Sequence, residues 1–331
     1  MCAKAYFTVD ERYHNLVEKK LIPEDINRVS EDLEYSKIRN FLRATNYFKL
    51  KPYIKDIEKE MKNDKSKNYQ FEDIVELYKI DRKLRASLIK LIEIVEIGIK
   101  TFLIEFLYEN IGENKVIVDY LKLENFKVEK KQNEDDIRAY KSFIYNLNKK
   151  IDKITDDAKE ELDKWEKNKI TPYVFTCEEL NEIKMYFEDG YTILPFWIVV
   201  EQLSFGDITT ILKYLSKDDM KCIFKNIGNI KYSYNDMSKA LNGIRYIRNL
   251  CSHNSRLCNQ SIKYSMPQTN NAKLKQNIGL LRYLVFIKLF VHKYDEKSWN
   301  DFREELKSIL ESHKAMKLQY LHLPMEYMDY L

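Results

Sequence analysis

The sequence predicts an all-α protein, and three observations predict it. Among 331 residues there are only 7 Gly and 6 Pro, about 4% together where an average protein carries about 12%. So few turn residues mean few connections, which favours long helices over sandwiches, barrels and glycine-cradled nucleotide sites. Apolar residues recur at three- and four-residue steps over long proline-free stretches. Nothing alternates apolar with polar over more than a few residues, as a half-buried strand would. At 44% hydrophobic and 33% charged residues the chain is globular and not disordered. Its length suits one large domain or two modest ones.

Residues 1–68 read as a small N-terminal unit. Short helices over Asp10–Lys20, Glu24–Asp32, Lys37–Arg43 and Tyr53–Asn63 are punctuated by Pro23 and Pro52. Their order would suit a helix-turn-helix, but no recognition-helix signature accompanies it. Residues 69–331 form the second unit, which opens with the strongest helix of the chain. From Phe71 to about Tyr108 the residues Ile74, Leu77, Leu84, Leu88, Leu91, Val95 and Phe102 keep one stripe. Asp81 stands one turn before Arg85, and Glu96 one turn before Lys100. Each carboxylate is either half of an ordinary intrahelical ion pair or turned into a site.

An inserted helical arm is expected at about 127–192. Its first part, 127–169, is densely charged, yet Ile137, Tyr140, Ile144, Leu147, Ile151, Ile154, Ala158 and Trp165 form a narrow stripe. The other faces are then solvated, as beside a coiled-coil seam, and the arm serves packing or a partner. After a loop at Asp189-Gly190, Leu194-Pro195-Phe196-Trp197 opens a buried helix to about Leu215. Helices follow at roughly Asp236–Cys258, Lys273–Lys293 and Ser298–His313, with a long loop around Asn270-Asn271.

The net charge of +4 is too small to indicate a nucleic-acid partner, but its distribution is uneven. From Met237 to Tyr294 there is no Asp or Glu, where simple proportion predicts about nine. The same segment holds Lys239, Arg245, Arg248, Arg256, Lys263, Lys273, Lys275, Arg282, Lys288 and Lys293. It is therefore +10 and the remainder −6, which points to a polyanion site in the C-terminal third. Five cysteines at irregular spacing give no disulfide framework and favour a reducing compartment. The N-terminus lacks a signal-peptide run, and the apolar stretch Leu280–Val291 is short and broken by Arg282 and Lys288. The expectation is a cytoplasmic protein with no membrane contact.

Chemistry concentrates in Arg245-Tyr246-Ile247-Arg248-Asn249-Leu250-Cys251-Ser252-His253-Asn254-Ser255-Arg256-Leu257. On a helix, Leu241, Ile244, Ile247 and Cys251 form a buried stripe, while Arg245, Asn249, Ser252, His253 and Arg256 gather on another face. A histidine titrates near neutrality and can give or take a proton. Arginine grips a phosphate with two donors and stabilises added charge. The pairing suits phosphodiester chemistry, against the plainer alternative of a solvated basic face. Five residues at 100° each put Arg248 about 140° from His253 on an ideal helix. The two converge only if the helix ends or distorts, or if a second copy meets the first. A metal site of Cys251, His253 and Cys258 fails on ligand count and spacing, and no nucleotide-loop, zinc-protease or nucleophile-elbow motif is present.

Arg248-Asn249-x-x-x-His253 resembles the Arg-x4-His signature of HEPN-superfamily ribonucleases. Its continuation to Asn259, Arg-Asn-x-Cys-Ser-His-Asn-x-Arg-Leu-x-Asn, resembles the Abi family of abortive-infection proteins, of the AbiD and AbiF type, itself similar to the HEPN modules of type VI CRISPR effectors. Asn46-Tyr47-Phe48-Lys49-Leu50-Lys51-Pro52-Tyr53 agrees with that family. So do Leu77-Tyr78-x-x-Asp81-x-x-Leu84-Arg85 leading to Glu96, and Pro195-Phe196-Trp197 followed by Glu201-x-Leu203-Ser204-Phe205-Gly206. The matches run in family order from about residue 5 to 295. One departure is Ser252-His253-Asn254, where the family usually has Ala and two histidines; the arm matches nothing.

The resemblance implies a HEPN-like helical bundle that cleaves RNA without a metal or other cofactor, the 2′-OH attacking its own phosphate. Carried over by position, His253 is the acid or base, Arg248 the phosphate partner, and Asn249 orients the site. Arg256 is a supporting phosphate contact, and Arg245, Lys239, Lys263, Lys273 and Lys275 extend the RNA surface. The implied partners are substrate RNA, a small structured non-coding RNA that acts as an antitoxin or as a guide, and a second copy meeting it through the motif. The competing functions are a non-catalytic RNA-binding regulator on the same surface and a structural helical adaptor.

Overall fold

A computed structural model describes residues 7–23, 33–66, 68–111, 134–225, 234–259, 279–311 and 314–331. Among them every regular element is a helix, and the protein is all-α. The expected helix Glu24–Asp32 and the loop around Asn270-Asn271 lie outside the described residues, as do 127–133 of the arm.

The chain opens with α1 (Val9–Glu18), α2 (Leu33–Ala44) and α3 (Tyr47–Asn63). A reciprocal capping box between Thr8 and Glu11 starts α1. The sequence predicts a helix that begins after Pro52, at Tyr53, but α3 begins at Tyr47. Asn46 caps it by accepting the N–H of Phe48, and Pro52 lies inside. Proline removes a single link of the ladder, which that cap and the buried Leu50, Tyr53, Ile54 and Ile57 outweigh.

Next comes α4 (Phe71–Ile111), 41 residues and therefore about 60 Å long. It is the central element. Its expected stripe is buried throughout, and so are Ile80, Asp81, Ile92, Ile99, Leu103 and Phe106. A helix buried beyond one stripe must be covered on several sides, and α4 packs against α3 and most of the helices that follow it.

The arm is α5 (Glu134–Asn168), followed by α6 (Cys177–Glu188), which packs against it. The expected stripe is buried from Tyr140 to Ala158, with Trp165 half-buried and Ile137 exposed. The outer faces are solvated and laced by one-turn pairs such as Lys167–Asp163. Glu161 accepts the N–H groups of Tyr173, Val174 and Phe175, folding the connection back onto α5.

Two helices stand where one was expected: α7 (Phe196–Gln202) and α8 (Phe205–Tyr214). Ser204 interrupts them as the N-cap of α8, in a capping box with Asp207. Lys150 of α5 bonds to Asp207, tying the arm to α8. After α9 (Lys217–Lys225) runs α10 (Tyr234–Ser252), then α11 (Leu281–Tyr294), α12 (Glu296–Glu311), α13 (Lys314–Leu321) and a short 3-10 turn, Tyr327–Tyr330. Gly243 of α10 faces the ring of Tyr283, and any Cβ there would collide with it. That glycine permits the close approach of α10 and α11. No described helix is long and apolar enough to cross a membrane.

Candidate active site

The decisive local feature is how α10 stops. The sequence predicts this helix to about Cys258; it ends six residues earlier, at Ser252. Asn254 takes a left-handed conformation, φ 51°. Its N–H donates to the Cys251 carbonyl at 3.2 Å, and the N–H of Ser255 reaches back to Leu250 at 2.8 Å. These two bonds define a Schellman ending with Asn254 in the place glycine usually takes. His253 is thereby the C-cap residue, exposed at the tip of the helix. Its imidazole makes no hydrogen bond to a described residue.

The tip is held from below. Asp81 of α4 has no exposed surface. Its carboxylate accepts the Tyr53 hydroxyl at 2.5 Å, Arg85 at 2.9 Å, and the backbone N–H groups of Leu257 and Cys258, each at 2.9 Å. Burial and the Asp81 charge push the Tyr53 phenol far above its ordinary range, so it stays a proton donor. Arg85 also donates to the Ser255 carbonyl at 3.2 Å. From α3, Lys49 donates to the carbonyls of His253 and Asn254 at 3.3 and 3.2 Å. Asp81 is thus half of the intrahelical ion pair with Arg85, and the same buried carboxylate grips the chain beyond His253.

Arg248 lies on another side of α10, in a cleft of about 380 Å³ lined by Ile89, Glu93, Glu96, Lys100, Glu201 and Ser252 among others. Its Nε stands 3.7 Å from Glu96 Oε2, an ion pair and not a hydrogen bond, and no described residue hydrogen-bonds to the guanidinium. Below it, buried Lys100 donates to the Glu201 carbonyl at 3.1 Å and faces the carboxylates of Glu96 at 3.8 Å and Glu201 at 3.7 Å. Ser252 reaches the cleft, whereas His253 is not among its lining residues. Ending the helix thus frees His253 without bringing it into the cleft that holds Arg248.

The other expected site residues separate. Asn249 and Lys239 are exposed on α10. Arg245 is half-buried and donates to Thr209 Oγ1 at 3.0 Å. Arg256 bonds to Asp56 of α3 and lies 5.7 Å from the centre of the Tyr53 ring, so its charge is engaged within the protein. Lys263, Lys273 and Lys275 lie outside the described residues. Among the described residues, no three His, Cys, Asp or Glu side chains are grouped as metal ligands. Cys251 and Cys258 are buried, while His253 points outward.

Lys49, Asp56 and Glu201 carry no role legible in the sequence. The motif stretches containing Lys49 and Glu201 were the available signal; Asp56 had none. All four stretches meet around the second half of α10. Asn46–Tyr53 supplies Lys49 and Tyr53, Leu77–Glu96 supplies Asp81, Arg85 and Glu96, and Pro195–Gly206 supplies Glu201. Gly206 faces Arg245: a Cβ added at this glycine would stand 3.9 Å from Arg245 Cδ.

No curated protein and no solved structure gives a significant match to the chain. The family model described as Abi-like protein matches residues 40–259, a span that holds every segment just described and well over half of the sequence. By that match the chain belongs to the Abi-like proteins, the family of abortive-infection defence.

Proposed function

We propose that this Abi-like protein is a metal-independent endoribonuclease of the HEPN type, with His253 as acid or base and Arg248 as the phosphate and transition-state partner. The observation that carries the reading is the mounting of His253. A fully buried carboxylate, a buried arginine and a lysine are all spent on fixing the backbone of one exposed turn. Buried charge is costly to retain in a fold, and its effect here is to fix the backbone that carries the exposed His253. Preorganisation of that kind is what general acid–base catalysis needs.

Arg248 fits the second role. Its Nε stands 3.7 Å from Glu96, and no described residue hydrogen-bonds to the guanidinium, so its donors are available to a phosphate. Because His253 does not line the cleft that holds Arg248, two copies are taken to complete the chemistry across a two-fold axis. Asn249, exposed on α10, orients the site in this reading. The acid-free character of 237–294 supports a small structured RNA as the controlling partner, held by shape and phosphate contacts.

The test is incubation of the purified chain with labelled RNA in EDTA, with analysis of the ends. Cleavage leaving 2′,3′-cyclic phosphate is expected, with His253→Ala and Arg248→Ala each slowed by roughly 10²- to 10⁴-fold and eluting at dimer mass. Activity that requires an added divalent ion, or survives His253→Ala, refutes the assignment. Tight RNA binding with no cleavage under any condition would leave the non-catalytic regulator in its place.

A further inference from the structure

The aromatic cluster at the start of α3 divides in the structure. Tyr53 is buried on Asp81, and Tyr47 is half-buried with its hydroxyl on Asn15 at 3.1 Å. Phe48 is 63% exposed. It shares one face of α3 with Lys51, Pro52 and Lys55, which follow at helical spacing. With Asp56 and Arg256 these residues line an open cavity of about 320 Å³. The one acid there is already engaged, since Asp56 accepts both Arg256 and Asn259. Lys51 and Lys55 form no ion pair with a described residue, and the first turn of α3 carries no acid. The cavity adjoins the histidine turn: Lys49, the neighbour of Phe48, holds the His253 carbonyl, and Arg256 follows His253 by three residues.

We infer that this cavity is a subsite for an unpaired nucleotide of an RNA strand, its base stacked on Phe48 and its flanking phosphates on Lys51 and Lys55. The inference rests on the ribonuclease reading and adds a binding site to it: a place for one unpaired nucleotide on α3, next to the histidine turn. Bases inside an A-form helix hide their faces against their neighbours, whereas an unpaired base offers one to an aromatic ring. An isolated ring beside a row of cations is the arrangement that tracks a single strand. A second copy of the chain is a poorer occupant, because two such lysine-bearing faces would repel each other.

Binding separates this inference from the chemistry. The probe is a fluorescein-labelled 2′-O-methyl oligoadenylate, which lacks the attacking hydroxyl, used as a single strand and as a duplex with its 2′-O-methyl complement. The wild-type chain is expected to prefer the single strand, Phe48→Ala to weaken that binding about tenfold, and Phe48→Trp to retain it. Lys51→Gln with Lys55→Gln should flatten the dependence of affinity on salt. Phe48 is exposed, so its variants are expected to fold, and circular dichroism checks this. Equal affinity for duplex, or unchanged binding in Phe48→Ala, overturns the subsite. So does a fall in mass by light scattering in Phe48→Ala with binding intact, which would make the patch a contact between copies. Phe48-dependent binding without any cleavage would keep the subsite and sink the nuclease. Cleavage that depends on His253 but ignores Phe48 does the reverse.

Discussion

Asp81 and Leu257 are 176 residues apart, yet the carboxylate of the first accepts the backbone N–H of the second at 2.9 Å. Through this bond the central helix fixes the chain just beyond His253. A carboxylate with no exposed surface accepts a phenol, a guanidinium and two amides, so each of its partners depends on it.

Asp81→Asn should therefore be among the most damaging single changes in the protein. It leaves Arg85 as an uncompensated buried charge and turns an amide N–H₂ toward donors. Loss of one partner of a buried pair typically costs about 3–5 kcal/mol. Urea unfolding should show a loss of that order, whereas a loss under about 1 kcal/mol, the size of an ordinary surface pair, would contradict the geometry.

Asn254 tests the ending of α10. Glycine adopts its left-handed conformation freely, and a β-branched side chain does not. Asn254→Gly should leave the melting temperature nearly unchanged, while Asn254→Val should lower stability by about 1–2 kcal/mol. Equal melting of both variants would mean that the helix does not end in this way.

The cysteines should divide by burial. Burial pushes the Cys251 thiol up to about 12. Burial and the neighbouring Asp81 carboxylate also raise Cys258 well above its ordinary value. Only the thiolate alkylates rapidly. Brief iodoacetamide treatment of native protein, read by mass spectrometry, should modify exposed Cys177 and Cys222 and spare Cys251 and Cys258 until the chain is unfolded. Early labelling of Cys258 would show that the turn is not packed as described.

Asp207 gives a pH dependence. Burial alone would raise its pKa, but hydrogen bonds from Lys150 and Ser204 and the Lys150 charge bring the net value below the ordinary carboxylate range. A group depressed on folding stabilises the protein fully above its unfolded pKa, and that contribution disappears as pH falls through the folded value. Asp207→Asn should thus melt below the wild type at neutral pH, and the difference should close on strong acidification. A gap that widens in acid would reverse the sign and rule out this account of how α5 is tied to α8.

By itself the sequence determined the helical class, the central helix at Phe71, the stripe of the arm and the run from Arg245 to Leu257. All of these are local: three- and four-residue periodicity and the scarcity of Gly and Pro depend only on near neighbours in the chain. The family, too, was legible, because its motifs are short and keep their order. Tertiary structure alone decided the rest. That α10 stops at Ser252 follows from a left-handed Asn254, stabilised by Asp81, Arg85 and Lys49 from distant helices. That Arg256 is paired with Asp56, that Arg248 faces Glu96, and that Phe48 is exposed while Tyr53 is buried are likewise contacts between separate segments. Periodicity shows which face of a helix is apolar, but only packing determines which charged side chain meets a partner and which is left facing water.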